Sequence, residues 1–273
     1  MLESFKYVNH VGEVLEFGKD GLFANYNDLR DYEWQYDSNK NTISNFRKGV
    51  VQKTIPVVIC ADSEEEGLQK KNTFFEIMEK DAIAEQAGKI IIGDYYKECY
   101  VYASNKSEYL TDKRVLTTSL GIVGKGTWIK ETRKDFIYTE EQAMTGKGYP
   151  YDYPYDYAIE GGNTGKLLNE HFAPCHFKIS ISGYALNPSI KIAGHTYKVN
   201  TTVEDKEILV IDSRNKSIIL RKNNGDLVNQ FSKRDKESYI FEKIPSGMSD
   251  VYWNSEYNFE ITLFEERGEP KWI

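Results

Sequence analysis

Apolar and polar positions alternate along most of this chain, a period of two that predicts strands almost throughout. One segment departs from it. Leu68, Phe75, Met78 and Ala82 recur at helical spacing, and Phe74 and Ile77 widen the stripe. Ser63 and Glu66 form a capping box ahead of it, so the pattern predicts a helix over about 63 to 82, with Gly88 closing the region. KIIIGDYYKECYVYAS, residues 89–104, then reads as a hairpin turning at Gly93-Asp94, with Cys99 and Val101 on one face and Tyr100 and Tyr102 on the other. RVLTTSLGIV and TWIKET read as a further strand pair joined by Gly-Lys-Gly at 124–126, and YEWQYD, ISNFR and VVQKTIPVVIC upstream read as strands. Residues 1–147 are therefore expected to form an α+β domain, mostly sheet, with one long helix packed on it.

Beyond residue 163 the rhythm shortens. CHFKISIS, PSIKIA, TYKVNTT, EILVID, SIILRK, LVNQF, SYIFEK, DVYWN and YNFEITLF are strand candidates separated by turn residues, the cadence of an all-β sandwich over 163–273. FEITLF alternates cleanly, with Phe259, Ile261 and Leu263 on one face and Glu260 and Thr262 on the other. Whether this last strand pairs within the second domain or returns to the first is left open by the pattern. Between the two regions, residues 148–162 read GYPYDYPYDYAIEGG, where a linker should fall. Pro150 and Pro154 hold that backbone extended, so it is a stiff spacer, and Gly161 and Gly162 allow a bend. Tyr149, Tyr151, Tyr153, Tyr155 and Tyr157 then share one side of it, a face expected to pack on a domain or on a neighbouring subunit.

Composition narrows the function. The formal charge is −7 with no basic half, stripe or tail, which disfavours tight binding to nucleic acid. The longest clearly apolar run, IPVVIC, is far below a membrane span, and the start of the chain lacks the pattern of a secretory signal, so a soluble product of a cytosol is expected, without membrane partners. Cys60, Cys99 and Cys175 are scattered and read as reduced thiols of the interior.

The catalytic and ligand-binding patterns in the chain are each incomplete. GGNTGKL (161–167) and GIVGKGT (121–127) are phosphate-loop lookalikes whose spacing fails, and the first has Leu167 where the metal-binding hydroxyl belongs. HFAPCH groups His171, Cys175 and His176 but fits no zinc spacing. His10 and His195 are isolated from any nucleophile motif. Glu265 and Glu266 are adjacent on a strand, point to opposite faces and so cannot flank one sugar bond together. No catalytic, cofactor-binding or metal residue is expected. Trp253 and the tyrosines are the candidates for stacking on a glycan, with core or interface packing the commoner fate.

One resemblance adds to this. The order NPSIKIAGHTYKVNTTVEDKEILVIDS, YIFEKIPSGMSDVYWN and FEITLFEERGEPKW, preceded by the capped helix and the KIIIGDYYKECYVYAS hairpin, resembles the distal tail protein family of siphophages, over nearly the whole chain. The resemblance implies a mainly β fold with a ring-forming first domain and a galectin-like sandwich. It also implies a homo-hexameric ring at the tip of a long non-contractile tail, in the virion, after synthesis in the bacterial host cytoplasm. The implied partners are a tail tube protein, a tail-associated tip protein and a receptor-binding protein, with DNA passing through unbound. It carries no catalytic residue and no cofactor. Two other readings compete: a carbohydrate-binding module that touches the host wall, and a glycan-cleaving enzyme of the tail tip.

Overall fold

The structure is a computed structural model and describes residues 4–24, 27–107, 112–138, 163–253 and 256–272. The chain is mainly β and divides into two compact units, residues 1–130 with 266–273, and residues 131–265.

The first unit contains β1 (Phe5–Val8), β2 (Val14–Phe17), β3 (Leu22–Ala24), β4 (Gln35–Asn39), β5 (Thr42–Arg47), β6 (Val50–Cys60), α1 (Glu64–Ala84), β7 (Gly88–Ile92), β8 (Tyr95–Ser107), β9 (Val115–Lys125) and the start of β10 (Trp128–Phe136). Its main sheet is antiparallel in the order β2-β1-β7-β8-β9-β6-β3. The β7–β8 hairpin turns at Gly93-Asp94 as the sequence predicts, with Ile92 opposite Tyr95 and Gly93 at φ 55°. The expected pairing of β9 with β10 does not form. Both are antiparallel to β8: Cys99 faces Gly124 and Tyr96 faces Ile129, so five steps of chain run beside three steps of β8. Gly-Lys-Gly is thus a bulge between two strands laid end to end along one edge, and no reversal. A side chain at Gly124 would stand 2.3 Å from the Glu98 carbonyl oxygen, which is why that close approach takes glycine.

Helix α1 begins at its predicted cap, where Ser63 Oγ accepts from Glu66 N at 3.2 Å. The reciprocal half of the box is shifted by one residue, because the Glu66 carboxylate takes the Asp62 N–H at 3.0 Å. The buried face is also turned from the expected one. Gly67, Phe74, Ile77, Met78 and Asp81 face inward, whereas Leu68 and Ala82 are exposed. Gly67 sets this orientation: a Cβ there would lie 2.4 Å from the Lys113 carbonyl oxygen, so the helix lies down on its glycine side. Phe74 then meets Phe17 edge-on, and Phe17 stacks on Phe5 at 4.3 Å, joining helix to sheet in one core.

The second unit holds the end of β10, then β11 (Asn163–Asn169), β12 (His176–Ser182), β13 (Ala185–Leu186), β14 (Ser189–Ile192), β15 (His195–Lys198), β16 (Thr202–Val203), β17 (Ile208–Asp212), β18 (Ser217–Arg221), β19 (Leu227–Asn229), β20 (Gly247–Trp253) and most of β21 (Asn258–Arg267). One sheet runs β19-β18-β17-β12-β21 with β10 beside β21, and the other runs β11-β20-β14-β15. Ile179, Ile211, Ile218 and Ile261 from the first share a core with Leu167, Ile190, Ile192 and Val251 from the second, a two-sheet sandwich.

Eight of the strand candidates appear there, and SYIFEK does not. Ile240 and Phe241 are both buried, which successive residues of a half-covered strand cannot be, and the segment is a turn whose neighbour Ile244 bridges to Cys175. β21 also differs from its reading, because Thr262 and Phe264 are buried as well as Ile261 and Leu263. Thr262 Oγ1 donates to Glu260 at 3.1 Å and the Arg214 guanidinium covers the Phe264 ring at 4.9 Å, so polar partners close the face expected to be wet. The units depart from the expected boundaries in two places: residues 131–136 cluster with the second, and 266–273 with the first. The tyrosine-rich linker at 148–162 lies outside the described residues.

Candidate assembly surface

β4 and β5 pair only with each other, and every residue in both is exposed. A two-stranded ribbon is marginal by itself in water. This one carries Tyr36, Ile43 and Phe46 at 55%, 61% and 60% exposure, with the Tyr36 and Phe46 rings 5.8 Å apart. An ion pair, Arg47 Nη1 donating to Asp37 Oδ1 at 2.8 Å, ties the strands, and Arg47 holds the Asp37 carboxyl below its usual range. The hairpin thus presents large apolar side chains that its own unit does not cover.

Its base is built from aromatic rings and cations. Lys48 Nζ lies 4.6 Å from the Trp34 ring and 5.1 Å from Tyr32, buried among them without a hydrogen-bond acceptor among the described residues. Burial lowers its pKa, and the charges of Glu266 and Glu269 partly offset that. Arg30 donates to the Pro270 carbonyl at 2.9 Å and spreads over the Trp272 ring at 3.9 Å. Residues 266–272 are held against the first unit by these contacts.

The remaining candidates have structural partners. Trp253 is 3% exposed, with Phe136 and Phe259 edge-on at 5.9 and 5.2 Å, the packing alternative weighed for it. GGNTGKL is in large part strand: residues 163–169 pair residue by residue with β20, and Phe136 lies over Gly165. His171 pairs with Glu265 at 3.5 Å, Cys175 Sγ contacts Asn169 Oδ1 at 3.3 Å, and His176 Nδ1 lies 3.1 Å from Ser213 Oγ, so HFAPCH splits three ways. His10 binds Asp81, and His195 Nε2 lies 3.0 Å from the Tyr239 carbonyl. Burial pushes the Cys99 thiol up to about 12, leaving it protonated. Among the described residues no group of three His, Cys, Asp or Glu is placed to hold a metal ion, and no helix is long and apolar enough to cross a membrane. Tyr149, Tyr151, Tyr153, Tyr155, Tyr157, Gly161 and Gly162 fall outside the described residues.

No protein-family model matches the chain, and no curated protein does. Solved structures do. The Dit protein of phage SPP1, described as a paradigm of the hub adsorption apparatus in phages infecting Gram-positive bacteria, superposes with a TM-score of 0.59 at 10% identity, over 96% of this chain and 99% of that one. A chain of the phage P2 baseplate in its activated conformation with Ca matches with a TM-score of 0.57 at 12% identity, over 96% and 98%. The same baseplate with Sr gives the same values. This chain has the phage hub fold. The likeness spans 96% of the chain, the helix-bearing first unit and the sandwich alike, as the sequence resemblance implies.

The sequence reading missed the β4–β5 surface. Its signal was present: YEWQYD and ISNFR carry large apolar residues among polar ones, with no second apolar face for a core.

Proposed function

We propose that this chain is a structural component of a phage tail tip, in which copies join head to tail into a closed ring through the first unit. The observation that carries this reading is the likeness to Dit and baseplate chains over 96% of the sequence. The exposed hairpin supports it, since a ring needs two different patches on each subunit and Tyr36, Ile43 and Phe46 supply one. In this reading the ring is a hexamer that continues the tube of a long non-contractile tail. The sandwich receives a tip protein and a receptor-binding protein, and the stiff tyrosine-rich segment spaces the two domains. Several copies of a chain of charge −7 around a channel let DNA slide past without sticking.

Light scattering and negative-stain imaging of the purified chain test this. Rings are expected. Changing Tyr36, Ile43 and Phe46 together to Ser should leave the far-ultraviolet dichroism unchanged and yield monomers. A wild-type chain that stays monomeric at high concentration, or that cleaves cell-wall glycan, would refute the reading.

A further inference from the structure

The base of the exposed hairpin borders a half-open cavity of about 420 Å³, lined on one side by Asp31, Tyr32 and Glu33, on another by Gln52 and Lys53, and reached from β8 by Lys97. Lys97 is 3% exposed. Its ammonium lies 4.8 Å from the centre of the Trp128 ring, and among the described residues it makes neither an ion pair nor a hydrogen bond. The carboxylate that acts on it most, Asp28, is engaged elsewhere, 3.8 Å from Lys53 Nζ and accepting the Thr54 N–H at 3.1 Å. A cation largely withdrawn from water, with only its cavity side left open and no acceptor, is incompletely solvated, and a ring face repays only part of that cost. The same isolation shows in its titration, which burial and the positive charges of Lys53 and Lys48 depress to about 8.

We infer that this cavity is a binding site for a carboxylate, seated on Lys97 with Lys53 beside it. The cavity has room for a carboxylate and several waters. Asp31 and Glu33 also line it, and their charges select against a doubly charged phosphate more strongly than against a singly charged carboxylate. Two sources share that chemistry: a free small carboxylate, and an Asp or Glu side chain of a second copy that covers the hairpin. The second source rests on the ring reading above, whereas the first is independent of it.

The test uses the full chain with ¹³C-labelled lysine, the Lys97 signal being assigned by its loss in Lys97→Met. Sodium acetate is titrated into dilute protein, with sodium chloride at equal ionic strength as the control. A saturable shift with acetate alone establishes the site and its free ligand. A shift that instead appears as protein concentration rises, together with assembly, identifies a carboxylate of a neighbouring copy. Glu33→Gln, which removes a repelling charge and leaves the lysine in place, should tighten acetate severalfold. It also keeps the test open should Lys97→Met fail to fold. A Lys97 signal that responds to neither acetate nor assembly overturns the site. Rings that form without any Lys97 response overturn the site alone and leave the ring reading intact.

Discussion

Asp81 is wholly buried, yet its carboxylate is fully engaged: Tyr7 Oη donates to it at 2.5 Å, and His10 reaches it through its backbone N–H at 2.8 Å and through Nδ1 at 2.5 Å. Burial, reinforced by that hydrogen bond, raises the Tyr7 pKa, so the phenol stays protonated and donating. Asp81→Ala strands the Tyr7 hydroxyl and the His10 amide in the interior and should cost about 2 to 4 kcal/mol, read from the urea midpoint. Lys97 acts in the opposite sense. Its pKa falls from 10.5 when unfolded to about 8 when folded, so the unfolded chain binds more protons between those values and stability rises with pH across that window. Lys97→Met should therefore be the more stable chain at pH 7 in chloride buffer, by about 3 kcal/mol at most, with the difference shrinking from pH 8 to 10.5. Both residues were half visible in the sequence. Tyr95, Lys97 and Cys99 share one strand face by alternation, and Asp81 follows Ile77 and Met78 at helical spacing, but hydrophobicity assigns a charged residue on an apolar stripe to the surface and favours Ala82 over Asp81 for the buried face.

At the scale of elements, what depends on neighbours in sequence was legible and what depends on partners in space was not. The cap of α1 is a local hydrogen bond between Ser63 and Glu66, and it stands where the sequence puts it. Ser63→Ala should cost about 1 kcal/mol, measured as a lower urea midpoint, while Ser63→Asp should restore it. The helix face depends on what lies beneath it, and Gly67 against the Lys113 carbonyl turned it in a way that hydrophobicity alone does not encode. The same distinction separates the two glycine-containing connections of the first unit. Gly93-Asp94 reverses the chain because two strands of its own hairpin meet across it, whereas Gly-Lys-Gly merely offsets two strands that share the edge of β8. SYIFEK failed as a strand for a related reason: its apolar pair enters the core from a turn, and residue type does not distinguish the two routes.

For the whole molecule, the division into a helix-bearing β unit and a sandwich was readable because alternation and turn spacing survive when identities do not, and the matched hub chains share only 10 to 12% of their residues with this one. The boundary was not readable, since β10 and β21 each run from one unit's residue range into the other's, and a continuous strand gives no signal of a border. That arrangement has a consequence for synthesis. The ribosome delivers residues 1–130, then 131–265, and only afterwards 266–273, the segment in which Trp272 meets Arg30 and Gly268 meets Tyr32 and Lys48. At about 5 to 20 residues per second the interval is roughly seven to twenty-seven seconds. For that time the nascent first unit waits with its tryptophan clasp unfastened, so any self-association that uses this neighbourhood is postponed until residues 266–273 have been made.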